Sequence, residues 1–411
     1  MKRLLIAFIG TVALVYNTAA QTSFVKENFT FAGNQLKAML KEADKNDTLF
    51  PRTITAEGNM KGTNKYDWTS GFFPGSLWYT YEYTKDESLK QAAVRWTETL
   101  EPVKNFSGHH DLGFMMYCSY GNAYRLTKDE RYKDILVQTA RSLCTRFDEK
   151  VGSIKSWNSF RSFHTADTRR YEFPVIIDNM MNLELLFFAS KVTGDPYFRK
   201  VALRHAETTM KHHLRNDYSS YHVVCYDSTG KPLIKETAQG YADNSTWARG
   251  QSWGIYGFTV MYRETKDKRY LETARKMADH FLNNPSLPAD KVPLWDFNVG
   301  QEGYVPAENS KARPNSPKFR DASAAAITSS ALFELSGYLG TEGKKYRDAA
   351  EQMLKSLAGK SYRAEANSNG NFIITHCVGS LPHGFELDVP IVYADYYFLE
   401  ALKRYNDLIK K

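Results

Sequence analysis

One six-residue pattern recurs five times: Thr84-Lys-Asp-Glu-Ser-Leu89, Thr127-Lys-Asp-Glu-Arg-Tyr132, Thr193-Gly-Asp-Pro-Tyr-Phe198, Thr265-Lys-Asp-Lys-Arg-Tyr270 and Thr341-Glu-Gly-Lys-Lys-Tyr346. Each reads as a polar turn that opens an amphipathic helix with alanine and aromatic residues at core spacing. Each also follows a segment that is apolar nearly all round: 75–83, 114–126, 179–192, 253–264 and 322–339. A helix apolar on every side is buried, whereas a one-faced helix lies outside. A sixth all-round apolar segment starts at Tyr393, and a predicted helix over 26–44 supplies its outer partner. Six inner and six outer helices in alternation predict an all-α fold, an (α/α)6 barrel. A few short strands are expected in the loops, for instance over 220–226, where Val223-Val224 favours a strand.

The repeat also separates the two ends of the barrel. The polar turns lie at one end. The longer irregular segments before each inner helix (66–75, 109–114, 157–178, 235–253, 295–321 and 376–395) lie at the other, and they hold most of the Trp, Gly and unusual polar residues. Loops held by a rigid scaffold are where chemistry is usually built.

Lys2 and Arg3 precede an apolar run from Leu4 to Val15, and Thr18-Ala19-Ala20 precedes Gln21. A charged start, a short apolar stretch and small residues at the end predict a secretory leader over 1–20, followed by a single catalytic domain over 21–411. The expected product is exported and soluble, periplasmic or secreted, with no membrane span, because the run is too short and no later segment replaces it. The four cysteines are widely spaced, with no C-x-x-C pair, and read as buried thiols. No H-E-x-x-H motif is present and His212-His213 are adjacent, so no metal site is expected. His205, His212 and His213 fall in an Arg/Lys-rich helix and read as a solvated face. The net charge of +8, two units of it from Lys2 and Arg3, is spread without a basic stripe, so nucleic acid is excluded as a partner. An acidic small substrate fits better.

Asp178 follows Val175-Ile176-Ile177 and precedes Asn179-Met-Met-Asn-Leu183. Pro174 holds Phe173 out of helical dihedrals, so the chain enters extended and a helix begins near Asp178. An Asp there can cap free N–H groups. It can also be an acid held out of water, and burial raises a carboxyl pKa toward the range a proton donor needs near neutral pH. Asp111, in His109-His110-Asp-Leu-Gly-Phe114, takes the same place on the preceding inner helix. Two adjacent carboxylates cannot both ionise freely, and such a pair suits acid/base chemistry on sugars. Trp247-Ala-Arg-Gly-Gln-Ser-Trp253 opens the fourth inner helix. Arg249 there can fork onto a carboxylate or satisfy loop carbonyls, and Trp253 offers a stacking face. Gln239, His222, Trp68 and Trp157 fall on the same side of the barrel.

Together these segments resemble the unsaturated glucuronyl hydrolases of glycoside hydrolase family 88. The likeness is carried by Trp68-Thr-x-Gly-Phe-x-Pro-Gly75, His110-Asp-Leu-Gly-Phe114, Ile176-Ile-Asp-Asn-Met-Met-Asn-Leu183 and Trp247-Ala-Arg-Gly-Gln-x-Trp253. Arg320-Asp-Ala-Ser-Ala-Ala-Ala-Ile327 and Ala394-Asp-Tyr-Tyr-Phe-Leu-Glu-Ala-Leu402 extend it over essentially the whole mature chain. The resemblance implies Asp178 as general acid/base and Asp111 as its essential acidic neighbour. It implies Trp68, Trp157, His222, Gln239, Arg249 and Trp253 in the uronate subsite. The implied substrate is an oligosaccharide ending in a 4,5-unsaturated uronic acid, handled without a cofactor. The loops 158–170 and 298–318 have no counterpart in this pattern. The alternatives are an unsaturated rhamnogalacturonyl hydrolase, against which Gln251 speaks, a non-catalytic helical-repeat glycan-binding protein, and a polysaccharide lyase on an α/α toroid.

Overall fold

The computed structural model describes the backbone of residues 2–410 and the side chains of residues 20–410; the expected leader over 1–20 lies, Ala20 apart, outside the described side chains. The chain alternates between an outer and an inner layer. Outer α1 (Lys2–Ala43) precedes inner α2 (Phe72–Thr84) and outer α3 (Glu87–Glu98). An inner π-helix, Gly113–Gly121, runs into α4 (Asn122–Thr127) before outer α5 (Glu130–Cys144). An inner 3₁₀ turn, Ile177–Asn182, runs into α6 (Leu183–Thr193) before outer α7 (Pro196–His212). Inner α8 (Ala248–Thr265), outer α9 (Lys268–Leu282), inner α10 (Ala322–Ser336), outer α11 (Gly343–Leu357) and inner α12 (Val392–Ile409) complete the series. Each inner element packs on the next, α12 returns to α2, and α1 closes the outer layer against both. The molecule is an (α/α)6 barrel.

Burial explains the two layers. The first fourteen residues of α8 are all buried, and all but one residue of α10. In α8 the hydroxyls of Thr259 and Ser252 bond to the carbonyls of Ile255 and Ala248 one turn back, at 2.8 and 2.9 Å, and in α10 those of Thr328, Ser329 and Ser330 reach Ser252, the carbonyl of Ala350 and Glu400, so these hydroxyls enter the core already satisfied. Outer α9 buries only Tyr270, Thr273, Ala274, Met277, Ala278 and Phe281, one stripe at helical spacing.

Four of the five repeated turns share one construction. Thr84, Thr127, Thr193 and Thr265 each donate to the carbonyl four residues back and accept the N–H of the following Asp. The residue between turns left-handed, as Lys85, Lys128, Gly194 and Lys266 do. The Asp then caps the outer helix by accepting an N–H two residues on, which is worth about 1 kcal/mol per helix. The fifth version departs: Thr341 lies inside a 3₁₀ turn, Gly340–Glu342, and Glu342 makes no side-chain cap. An acidic residue one position early in the sequence cannot reproduce the geometry.

Two inner helices depart from the regular helices expected over 114–126 and 179–192. The second is π-helical for two turns, and the third opens as 3₁₀. The cause of the latter lies in a neighbouring sheet. The strand Pro174–Ile176 pairs antiparallel with Val223–Tyr226, which pairs with Pro232–Glu236. The ladder continues one step further, since the N–H of Ile177 donates to the carbonyl of His222 at 3.1 Å. The backbone is therefore tied to a strand up to the residue before Asp178, and His222 is delivered opposite it. Gly113 brings the second and third inner elements together: a Cβ there would fall 2.6 Å from Cα of Asn182.

His205 and His213 do not form a solvated face. Both are fully buried, with Nδ1 of His205 accepting from Ile154 N–H and Nε2 of His213 against the carbonyl of Val175. They face inward to satisfy the backbone of loop segments, which the composition of α7 does not disclose. All four cysteines are buried and free.

Candidate active site

Asp178 is the second residue of the 3₁₀ turn and is 7% exposed. It is not a helix cap: Ile176 holds the capping position, with no side-chain bond to the helix N-terminus. Its Oδ2 has no hydrogen-bond partner. Burial, reinforced by the negative charge of Asp111, pushes this carboxyl up to about 7, while Arg249 and Trp253 pull weakly the other way. An acid that still holds its proton in about half of the molecules at neutral pH, with an unused oxygen, therefore stands at the loop end of the barrel.

Asp111 has the opposite balance. Burial would raise it, but His110, His109 and Arg146 outweigh that and hold it below the usual carboxylate range. Nε2 of His110 lies 3.2 Å from Oδ1 and Nδ1 of His109 lies 3.1 Å from Oδ2. The two carboxyls are pushed in opposite directions, the separation of roles that acid/base chemistry needs.

His222 is buried and neutral, its pKa pushed well down by burial and by Arg249. The N–H groups of Ala238 and Gln239 both donate to its Nδ1, at 3.1 and 3.2 Å, so Nε2 carries the proton. That Nε2 faces Oδ2 of Asp178 across 3.7 Å, too far for a direct bond, and neither atom is otherwise satisfied. An oxygen of a substrate or a water would complete both. Trp157 is half-buried with its edge toward His222, the ring centroids 6.2 Å apart.

Trp253 departs from the sequence reading, while Arg249 meets both of its alternatives, a carboxylate and loop carbonyls. Arg249 is 1% exposed; Nη1 donates to Asp321 and the carbonyl of Val378, and Nη2 to Gln239 and the carbonyl of Gly379. Its fork is taken, so it acts on Asp178 as a buried positive charge and orients Gln239, whose amide nitrogen stays available. Trp253 is fully enclosed between Phe114 and Tyr397, with centroids 5.0 and 5.3 Å away, and offers no stacking face. What it presents is an unpartnered indole N–H. Trp68 remains half-buried against Phe114 and Tyr393 and keeps ring surface open.

The model of Glycosyl Hydrolase Family 88 matches residues 39–408. The chain belongs to glycoside hydrolase family 88. It is 45% identical over 365 residues to an unsaturated glucuronyl hydrolase of Formosa agariphila, spanning 88% of this chain and 86% of that one. It is 34% identical to an unsaturated chondroitin disaccharide hydrolase of Streptococcus agalactiae, over 87% and 85% of the two chains. A solved unsaturated glucuronyl hydrolase specific for heparin superposes with a TM-score of 0.85 at 44% identity, over 95% of this chain and 98% of that one. This family 88 chain is thus a glycoside hydrolase.

Several residues of the site escaped the sequence reading. Trp247 lies against His222 at 4.4 Å and under the guanidinium of Arg249 at 4.6 Å. Tyr393 is buried with an unpartnered hydroxyl beside Trp68. Asp321 holds Arg249. The cue for Trp247 and Asp321 was membership in the quoted motifs, and Tyr393 was marked only as the start of the sixth apolar segment, without a role attached. The loops over 158–170 and 298–318 meet one another. Asn309 N–H donates to the carbonyl of Phe163, and His164 pairs with Asp243 at 2.6 Å and lies 3.4 Å from Glu308. Among the described residues His164, Glu236 and Asp243 form the one group with metal-ligand spacing. His164 already pairs with Asp243 there, and the bond raises its pKa, so the cluster reads as an ion pair joining loops. No helix of the described residues is long and apolar enough to cross a membrane.

Proposed function

We propose that this chain removes the 4,5-unsaturated uronic acid from the non-reducing end of lyase-generated glycosaminoglycan oligosaccharides, with Asp178 as general acid/base. One observation carries the reading: a buried carboxyl raised to about 7, with an unbonded oxygen, beside an ionised carboxylate at the loop end of the barrel. The names of the relatives, which act on unsaturated glucuronyl and chondroitin disaccharide substrates, support the substrate class.

The terminal sugar is a vinyl ether. Asp178 gives its proton to C4, and positive charge develops at C5, shared with the ring oxygen. The Asp178 carboxylate then takes a proton from a water as that water's oxygen bonds to C5. The resulting hemiketal opens by breaking the bond from C5 to the ring oxygen. The hemiacetal left at C1 collapses and releases the aglycone sugar. One residue acts as acid and then base, so the separation of the two carboxylates does not dictate stereochemistry as it does in ordinary glycosidases. Asp111 anchors the sugar and holds a negative charge near the developing cation. Nε2–H of His222 donates to the oxygen that enters between it and Asp178. Trp68 and Trp157 flank the ring, and the amide of Gln239 meets the uronate. Arg249 and Trp253 contribute a buried charge and an indole N–H. No cofactor enters these steps.

The conjugated double bond absorbs in the ultraviolet and is lost on hydration. Absorbance should fall with time on lyase-digested chondroitin, heparin or hyaluronan, and stay flat on the undigested polymers. A rise on undigested polymer would mean a lyase. Binding without absorbance change would mean a glycan-binding protein, and turnover of digested pectin alone would mean a rhamnogalacturonyl hydrolase.

We further propose that residues 1–20 are a leader removed on export, leaving one catalytic domain over 21–411. The charged start, apolar run and small residues before Gln21 support it. N-terminal sequencing of the exported protein should begin at Gln21, and an uncleaved cytoplasmic product would overturn it.

A further inference from the structure

We propose that His164, Glu236 and Asp243 form a binding site for a divalent transition cation, zinc by preference, that ties together two loops at the active-site end of the barrel. Ion binding there does not depend on the reaction assigned above.

His164 comes from the segment before the third inner helix. Glu236 and Asp243 come from the segment before the fourth, on either side of Gln239. One donor atom of each lies within 4.8 Å of the other two. No metal motif marks them in the sequence, because the fold brings them together. Glu236 ends the strand Pro232–Glu236, and Oδ1 of Asp243 accepts the N–H of Thr237, next in the chain, at 3.0 Å. His164 stands in the loop of a hairpin that pairs Phe160 with Tyr171.

Three observations point to a cation. The first is charge. Glu236, Asp243 and Glu308 surround His164, and one imidazolium balances one carboxylate. Among the described residues, no Lys or Arg forms an ion pair with any of the three; Asp243 and Glu308 have His164 alone. The nearby Arg169 is spent on Asp167, and Arg215 on the carbonyls of Ser220, Asp243 and Ser245.

The second is Glu236 itself, which is 8% exposed. Its carboxylate has no ion pair and no hydrogen bond of ordinary geometry, and only the Ser162 hydroxyl steadies its charge from outside the cluster. A buried carboxylate so poorly compensated is costly unless positive charge reaches it. With His164 and Glu308 it lines a solvent-open cavity of about 520 Å³, which supplies a path for an ion and its waters.

The third is the support behind the donors. Oε2 of Glu308, held by the N–H of Thr165 at 3.1 Å, lies 3.4 Å from Nδ1 of His164. A carboxylate on one ring nitrogen keeps the proton there and turns the lone pair of the other toward a metal. Asp243 is fixed in the same way through Oδ1, which leaves Oδ2 free to ligate.

The ion pair of His164 with Asp243, 2.6 Å from Nε2 to Oδ2, is the cation-free form of this site. Zinc about 2.0–2.2 Å from each donor takes the place of the Nε2 proton, which leaves to solvent, and draws in Glu236 as third ligand. Water fills the fourth position. One imidazole with two carboxylates suits zinc better than calcium or magnesium, which favour oxygen alone. The bound ion ties the loop after Trp157 to the turn that carries Gln239. No step of the reaction passes through it.

The test uses the full chain, stripped with a chelator and dialysed, then titrated with zinc chloride by calorimetry near neutral pH. Wild type should take up one zinc per chain with Kd below about 10 μM, and its Tm should rise with zinc. Glu236→Gln keeps the His164–Asp243 pair but should weaken uptake by more than about 100-fold, and Glu308→Gln, at a surface side chain, by about 10- to 100-fold. Neither variant should gain the full rise in Tm. Wild type with no uptake, or only weaker uptake, would overturn the proposal. Equal affinity in wild type and both variants would also overturn it, since the zinc would then sit on another histidine. If E236Q does not fold, E308Q decides by the same comparison.

Discussion

Of the buried aspartates at the starts of inner helices, Asp178 and Asp395 are the two that burial pushes up to about 7. Asp395, at the start of α12, accepts the N–H groups of Ile373 and Ile374 at 3.0 and 2.9 Å, one on each oxygen. Asp178 leaves Oδ2 without a partner and faces a histidine that also lacks one. The turn end of the barrel repeats the lesson. A cavity of about 410 Å³ there is lined by Glu184, Glu400, Lys403 and Arg404 among aromatic residues. Its acids are spent: Glu184 pairs with Arg263, Asp407 pairs with Lys403, and Glu400 accepts from Tyr79, Tyr256 and Ser330. A buried, perturbed carboxyl is therefore insufficient to mark a catalytic acid. The distinguishing property is an oxygen the fold leaves unused, since buried polar groups are otherwise satisfied.

The comparison can be broken most sharply at Asp178. Asp178→Asn should lower kcat by at least about 10²–10⁴-fold. Its Tm should not fall, because no hydrogen bond of the fold is lost; above about pH 7 it should be the more stable protein. The sign follows from the raised folded pKa: the native state holds a proton the unfolded chain has released, so wild-type stability falls as pH rises from about 4 through 7. Equal stability of the two proteins at pH 6 and 9 would sink this.

Asp111→Asn comes next. Besides reducing turnover, it removes the charge that helps raise Asp178, so the alkaline limb of any residual activity should move to lower pH, by about one unit. A limb that stays in place would separate the two acids. Asp395→Asn should invert the Asp178 result: a loss of about 1–3 kcal/mol of stability, read by denaturant titration, with kcat per folded molecule unchanged. The smallest effect is expected at the turns, where Asp267→Ala should cost about 1 kcal/mol and leave activity alone. The same change made at Glu342, which caps nothing, should cost less.

What was legible in the sequence follows from how local each feature is. The Thr-x-Asp turn is complete within six residues, so the barrel and its two ends could be read from it. Asp178 and Asp111 could be placed at one end for the same reason. The state of Asp178 could not be decided, because its approach is controlled by Val223–Tyr226, and its lack of a capping role follows from that ladder. Arg249 finds Asp321, Val378 and Gly379 from loops far along the chain, and Trp253 is enclosed by residues of two other helices. His205 and His213 look exposed in a basic helix, yet serve the backbone at Ile154 and Val175. Each misreading concerns a partner remote in sequence.

The central claim is that a proton delivered from Asp178 to C4 starts the reaction. Turnover of an unsaturated disaccharide in D₂O tests it, with product examined by NMR promptly, before the new C5 carbonyl allows exchange at C4. The account predicts one deuteron at C4, on a single face. Released sugar with no deuterium at C4 would contradict it.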